Sequence, residues 1–154
     1  AFYSCKNPPN QTTLQALAEN LKTANVPVRY MQMDPWWFAQ EPDSPCGDAF
    51  SFSPRTELFS STISQLSEII GMPVLLYTAF WSASEMPVRY PKYDFINSTV
   101  VTGPGSHFCD HVTVNVAPQD SEQFYSDIFA QQCGTNGSVC SGYEVDYLDS
   151  NLLF

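Results

Sequence analysis

Apolar positions along this chain switch between two periods. Leu14, Leu17, Ala18 and Leu21 recur at i, i+3, i+4 and i+7, which predicts an amphipathic helix over about 13–24. The apolar run Val26-Pro27-Val28-Arg29-Tyr30-Met31-Gln32-Met33 follows and predicts a first strand over about 26–33. Next comes a loop from Asp34 to Ser53, rich in Pro, Asp and Ser. Ser53-Pro54 then offers a capping hydroxyl followed by proline at a first helical position. Phe59, Ile63, Leu66, Ile69 and Ile70 form the apolar stripe of that second helix, and Gly71 is its expected C-cap. The run Met72 to Trp81 predicts a second strand. A third helix starts at Pro118, with Phe124, Tyr125, Ile128 and Phe129 apolar, and Tyr143 to Asp149 predicts a third strand. Helices and apolar strands that alternate in this way argue for a parallel α/β architecture.

The stretch 82–116 is an excursion, because ordinary βα connections run about 2–6 residues. It holds aromatic pieces, Gly103-Pro104-Gly105 and an alternating run from His107 to Val116. Pro-Val-Arg-Tyr occurs at 27–30 and again at 87–90; nothing else around it is shared, so it is no internal repeat.

All three predicted strands end on a carboxylate, an aromatic cluster, or both. The first ends on Asp34-Pro35-Trp36-Trp37, the second on Phe80-Trp81, and the third is Tyr143-Glu144-Val145-Asp146-Tyr147-Leu148-Asp149. Acids and aromatics at the C-terminal ends of buried parallel strands are the way a (β/α)8 TIM-type barrel builds a site. Such a barrel needs about 250 residues, with roughly 200 as the lower end, whereas this chain has 154. It begins without Met and stops on the apolar Asn151-Leu152-Leu153-Phe154. The expectation is one partial βα-barrel domain over 1–154, cut from a larger protein.

With 6 basic and 16 acidic residues, the net charge is −10. Nucleic-acid binding relies on Lys and Arg clusters that neutralise phosphates, and none is present. No apolar run approaches the roughly 20 residues that span a bilayer. Three N-glycosylation sequons start at Asn10, Asn97 and Asn136. Together with five cysteines they point to a secreted, extracellular glycoprotein, against the plainer reading of a cytosolic protein with reduced thiols. Cys133 and Cys140 bracket a Gly/Ser/Asn-rich loop and would close a small disulfide ring. Cys5, Cys46 and Cys109 remain, and an odd count leaves one thiol free or paired with an outside partner.

Three constellations could carry chemistry. Asp34 with Trp36 and Trp37 suits a pyranose, since C–H faces stack on indoles while a carboxylate accepts from hydroxyls. Trp81 joins this candidate substrate-binding group; the alternative for the indoles is that they cap a core. Glu144 and Asp146 share one strand face, and glycoside hydrolysis normally needs two carboxyl groups. The alternative there is a solvated strand end with Asp149 capping the next turn. His107, Cys109 and His111 would share a strand face as a zinc half-site, but no fourth ligand is evident. Ordinary strand residues with a disulfide at Cys109 are preferred, so no metal or other cofactor is expected. No nucleophile elbow, Ser-His-Asp order or phosphate-cradling glycine loop is present.

Met31-Gln32-Met33-Asp34-x-Trp36-Trp37, Phe80-Trp81 and Val145-Asp146-Tyr147-Leu148, in that order, resemble the α-galactosidase-like superfamily of retaining glycoside hydrolases. The resemblance spans roughly 13–151 through three short strand ends. It implies a (β/α) barrel in which Asp34 binds sugar hydroxyls, and an Asp nucleophile in a pattern like Val-Asp-Tyr-Leu-Lys-x-Asp. The acid/base would come from a later strand that this chain does not contain. A gap-free match puts Asp149 where that pattern has Lys and Asn151 where it has the nucleophile. Either the register differs and Asp146 or Asp149 is catalytic, or catalysis has been lost. The leading expectation is a secreted glycoside-hydrolase-like protein that binds or hydrolyses carbohydrate. A non-catalytic structural or adhesive glycoprotein subunit is the alternative, followed by a compact three-layer α/β domain complete in itself.

Overall fold

A computed structural model of the chain describes residues 8–40, 49–78, 81–100, 111–134 and 139–145. Helix α1 spans Gln11–Thr23 and starts at Asn10, whose Oδ1 accepts a hydrogen bond from the Thr13 amide at 3.0 Å. Leu14 and Ala18 are its buried positions. Asn25, at φ 54°, takes the left-handed conformation that closes the helix, and the Val26 amide reaches back to the Leu21 carbonyl at 2.9 Å.

Strand β1 covers only Met31–Met33, so the strand predicted over 26–33 is shortened at its start. Val26, Val28 and Tyr30 are exposed. The helix closure occupies the backbone as far as Val26, and Pro27 has no N–H to donate to a ladder. Pairing begins where the Met31 amide donates to the Pro73 carbonyl at 3.0 Å.

The predicted loop after Asp34 contains two short strands, β2 (Phe38–Gln40) and β3 (Ala49–Pro54), paired antiparallel. Pro54 therefore ends a strand and does not open a helix. Helix α2 runs over Ile63–Ile70 from a reciprocal capping box, with the Gln65 amide donating to Thr62 Oγ1 and the Thr62 amide to Gln65 Oε1. Ser53-Pro54 has no such return partner. Gly71, at φ 70°, is the C-cap. Phe59 is buried, although it precedes the helix it was expected to join.

Strand β4 (Val74–Thr78) follows at once. The excursion comprises the short helix α3 (Met86–Arg89) and an antiparallel pair, β5 (Phe95–Val100) with β6 (His111–Val116), in register from Phe95↔Val116 to Val100↔His111. Helix α4 (Ser121–Cys133) begins a little after Pro118, and β7 (Cys140–Val145) ends the described chain. Cys133 and Cys140 form the expected disulfide, their Cα atoms 5.3 Å apart. Cys5, Cys46 and Cys109 lie outside the described residues. No helix among the described residues is long and apolar enough to cross a membrane.

Strands β1, β4 and β7 form one parallel sheet with β4 in the middle. One sheet face carries Met31, Met33, Val74 and Leu76, each buried in a core shared with Leu14, Ile63, Leu66, Phe124 and Ile128. Helix α1 packs on α2, and α2 on α4. Phe124, fully buried, sits edge-on to Trp81, Tyr90, Tyr93 and Phe95 at centroid distances of 5.1–5.8 Å. The parallel α/β expectation holds for this sheet.

One irregularity sets which residues face away from the core. Val74 pairs with Cys140, but Leu75 pairs with Gly142, so β7 carries a bulge at Ser141-Gly142. Gly142 has φ 147°, a conformation that L-residues rarely adopt. Without the extra residue, Glu144 would pair with Thr78 and share the buried face of Leu76. With it, Glu144 pairs with Tyr77 and turns to the face of Gln32 and Leu75.

Candidate functional site

Because the sheet is parallel, the C-terminal ends of β1, β4 and β7 lie at one end of it. Asp34 follows β1 directly, in a turn where the Trp37 amide donates to the Asp34 carbonyl at 3.1 Å. Asp at the first and Pro at the second position are favoured in such turns, and Pro35 pre-sets the backbone. Gln40 Nε2 donates to the Pro35 carbonyl at 3.0 Å and holds the turn from its far side.

Gln32 lies between Met31 and Met33, and strand alternation turns it to the face away from the core. Its Nε2 donates to Asp34 Oδ1 at 3.0 Å and also to Glu144 Oε2. One amide nitrogen thus joins two carboxylates across the β4 strand. Gln32 is exposed and Asp34 and Glu144 are half-buried, so among the described residues the trio is reachable by a ligand. Its chemistry is that of a hydroxyl receptor, two acceptor carboxylates fixed by a shared donor.

The indoles are placed differently. Trp37 is fully buried, and its Nε1–H donates to the Tyr77 carbonyl at the end of β4, at 2.9 Å. Its ring meets Phe38 and Phe52 edge-on at 5.6 and 5.7 Å. Trp81 stacks on Phe52 at 4.4 Å, and residue 81 bridges to Ala49. Both rings pack as core. Trp36, two residues after Asp34, is also buried and stacks on Phe59 at 6.1 Å; its buried Nε1–H has no hydrogen-bond partner among the described residues.

Asp146, Asp149 and Asn151 lie outside the described residues, as do His107 and Cys109 of the considered zinc half-site. Among the described residues, no group of three or more His, Cys, Asp or Glu is placed to hold a metal ion. Gln32 was not a sequence candidate. The signal for it was a polar residue alternating with two methionines in a strand otherwise read as buried. Asn10 is exposed, with its Oδ1 engaged as the α1 cap, and Asn97 is exposed on β5; Asn136 lies outside the described residues.

No family model and no curated protein sequence matches the chain. Among solved structures, a xylosidase from Aspergillus niger aligns with a TM-score of 0.57 and 16% identity. The match covers 91% of this chain and 19% of that one. An α-galactosidase from Lactobacillus brevis aligns with a TM-score of 0.57 and 14% identity, over 88% of this chain and 18% of the other. The chain therefore spans about a fifth of the length of these glycosidases. At such identities the likeness is one of fold: the βα arrangement of this chain is similar to a segment of two glycoside hydrolases.

Proposed function

We propose that this chain is a segment of a secreted glycoside-hydrolase-like (β/α) barrel that binds carbohydrate at the C-terminal ends of its strands. The observation that carries the reading is the exposed Gln32 amide joining Asp34 and Glu144 at the strand ends. Asp34 accepts from sugar hydroxyls, as the family resemblance implies, with Glu144 beside it. Trp36, Trp37 and Trp81 are all buried and hold the frame behind the site. The likeness in fold to a xylosidase and an α-galactosidase supports a sugar ligand. The Cys133–Cys140 disulfide supports an oxidising compartment, in which Asn10, Asn97 and Asn136 would be glycan acceptors.

In the catalytic form of this reading, Asp146 or Asp149 is the nucleophile of a retaining glycosidase, and the acid comes from sequence beyond this segment. One observation favours a non-catalytic version: Asn151 stands at the position matched to the family nucleophile, and an amide cannot form the glycosyl ester. Two assays on the full chain test the proposal. Titration calorimetry with xylo- and galacto-oligosaccharides should show binding that Asp34→Ala weakens by an order of magnitude or more; no binding to either series sinks the carbohydrate reading. Turnover of aryl xylosides or galactosides that vanishes in Asp146→Asn supports catalysis. Binding without turnover selects the non-catalytic version.

A further inference from the structure

We propose that the cavity between α4 and the turn joining α3 to β5 is a second carbohydrate site, shaped for a neutral sugar residue; this rests on the carbohydrate reading of the strand-end site. The cavity measures about 380 Å³, within the roughly 300–1,000 Å³ of small-molecule sites. It belongs to the excursion between β4 and α4 and uses none of Gln32, Asp34 or Glu144.

Its lining combines apolar and hydrogen-bonding groups. Tyr90, Pro91 and Tyr93 supply the apolar surface. Both tyrosine rings are braced edge-on by Phe124, at 5.7 and 5.1 Å, and the Tyr90 hydroxyl accepts from the Phe52 amide at 3.2 Å. Beside them, the Asp127 carboxylate gathers the Lys92 ammonium, which lies over the Tyr93 ring at 4.8 Å, and the Tyr93 hydroxyl on one oxygen, and the Gln123 amide at 2.7 Å on the other. Gln131 follows Asp127 by one helical turn and adds an exposed amide to the rim. The tyrosine rings are held by Phe124 before any ligand arrives, which lowers the ordering cost of binding.

The charge balance selects the ligand. Lys92 is paired with Asp127, and Arg89 with Glu85 at 3.2 Å, so two cations meet two carboxylates around the cavity. An anion finds no surplus of positive charge there, and a cation no surplus of negative charge. A wholly apolar ligand would cover the Lys92–Asp127 pair without replacing its water, at a cost. A neutral pyranose meets both requirements, laying its C–H face on Tyr90 and Pro91 and its hydroxyls toward Lys92, Asp127 and Gln131.

The test is an amide-resolved NMR titration of the ¹⁵N-labelled full chain with xylotriose, galactotriose, glucuronate and p-cresol, each alone. The expected result is saturable shifts at Arg89, Lys92, Tyr93, Asp127 and Gln131 with a neutral trisaccharide only. Gln131→Trp, which puts a bulky ring in the cavity mouth, should weaken that binding at least tenfold and leave the amides of Gln32 and Glu144 responding as before. Lys92→Met should also weaken it. No shifts at these positions with either trisaccharide would overturn the proposal, as would shifts that survive in Gln131→Trp. A response to glucuronate or p-cresol alone would overturn it too. Shifts at Gln32 and Glu144 without any at 89–93 defeat this second site alone; the reverse pattern defeats the strand-end site and leaves the cavity standing.

Discussion

Gly142→Ala probes the feature on which the candidate site depends. An alanine Cβ at this position would lie 3.7 Å from Leu75 Cδ1, an ordinary van der Waals contact, so no steric clash is introduced. The whole cost is conformational, because φ is 147° and an L-residue must be held there. Backbone strain of this kind costs about 1–3 kcal/mol. Alanine also restricts the unfolded chain, which returns about 0.4–1 kcal/mol. The net expectation is destabilisation by about 1–2 kcal/mol. With a urea m-value of about 1–3 kcal/mol/M, the unfolding midpoint should fall by roughly 0.5–1 M with m unchanged. Far-UV circular dichroism measures that midpoint, and the side-chain amide resonances of Gln32 provide a local readout. In the parent those resonances should carry the signature of a donor held between two carboxylates. If Gly142→Ala relaxes the bulge, Glu144 turns away and the resonances move toward those of a free amide. A variant as stable as the parent, with unmoved Gln32 signals, would refute the argument that the Gly142 bulge aims Glu144 at the site.

Trp37→Phe removes the hydrogen bond to the Tyr77 carbonyl and leaves a small void, at a cost of about 2 kcal/mol; a variant that keeps full stability yet loses sugar binding would make Trp37 a ligand contact and not a support. Cys133→Ser opens a ring of sequence separation 7, for which chain entropy gives a loss of about 2.5 kcal/mol, to be read as a lower thermal midpoint that reductant reproduces in the parent. Thr62→Ala removes one half of the capping box and should cost about 1 kcal/mol in urea unfolding, with no effect on ligand titrations. Asp127 is held down to about 2, first by the Lys92 ammonium and then by Tyr93 and Gln123. Its folded value lies below the ordinary carboxylate range, so its contribution is present above that range and lost as pH falls toward 2. A carboxyl-carbon NMR titration should show this low midpoint, and Lys92→Met should raise it.

The sequence was most legible where one element's own residues decide its form. The stripe Leu14, Leu17, Ala18 and Leu21 and the C-cap Gly71 need no distant partner, and both landed as expected. Pro-Val-Arg-Tyr shows the opposite case: it is neither helix nor strand at 27–30 and helical at 87–89. There the surroundings decide, a closed helix end before the first copy and the Met86–Arg89 turn around the second. The strands β2, β3 and β5 escaped for a related reason. The stability of each comes from a partner across an antiparallel pair, which a scan along the chain does not see. At the site, Asp34 was legible as an acid ending an apolar run. Its link to Glu144 was not, because it depends on a one-residue bulge that reverses the facing of β7, and an isolated glycine in a strand signals this only weakly. The place of the three tryptophans at strand ends groups them as one binding feature. Packing puts all three in the core: Trp37 bonds the Tyr77 carbonyl, Trp81 stacks on Phe52 and Trp36 on Phe59.

The three-stranded sheet has a colloidal consequence. Among the described residues, β1 and β7 each pair with β4 alone, so each has an outer row of backbone donors and acceptors with no ladder partner. Unpaired rows of this kind are templates for strand addition between molecules. In this chain the restraint is long-range: a net charge of −10 keeps copies apart at neutral pH. That restraint fades as the carboxylates protonate, while the open edges are indifferent to pH. The isolated chain should therefore have a solubility minimum on the acid side, with intermolecular sheet content rising there and with added salt.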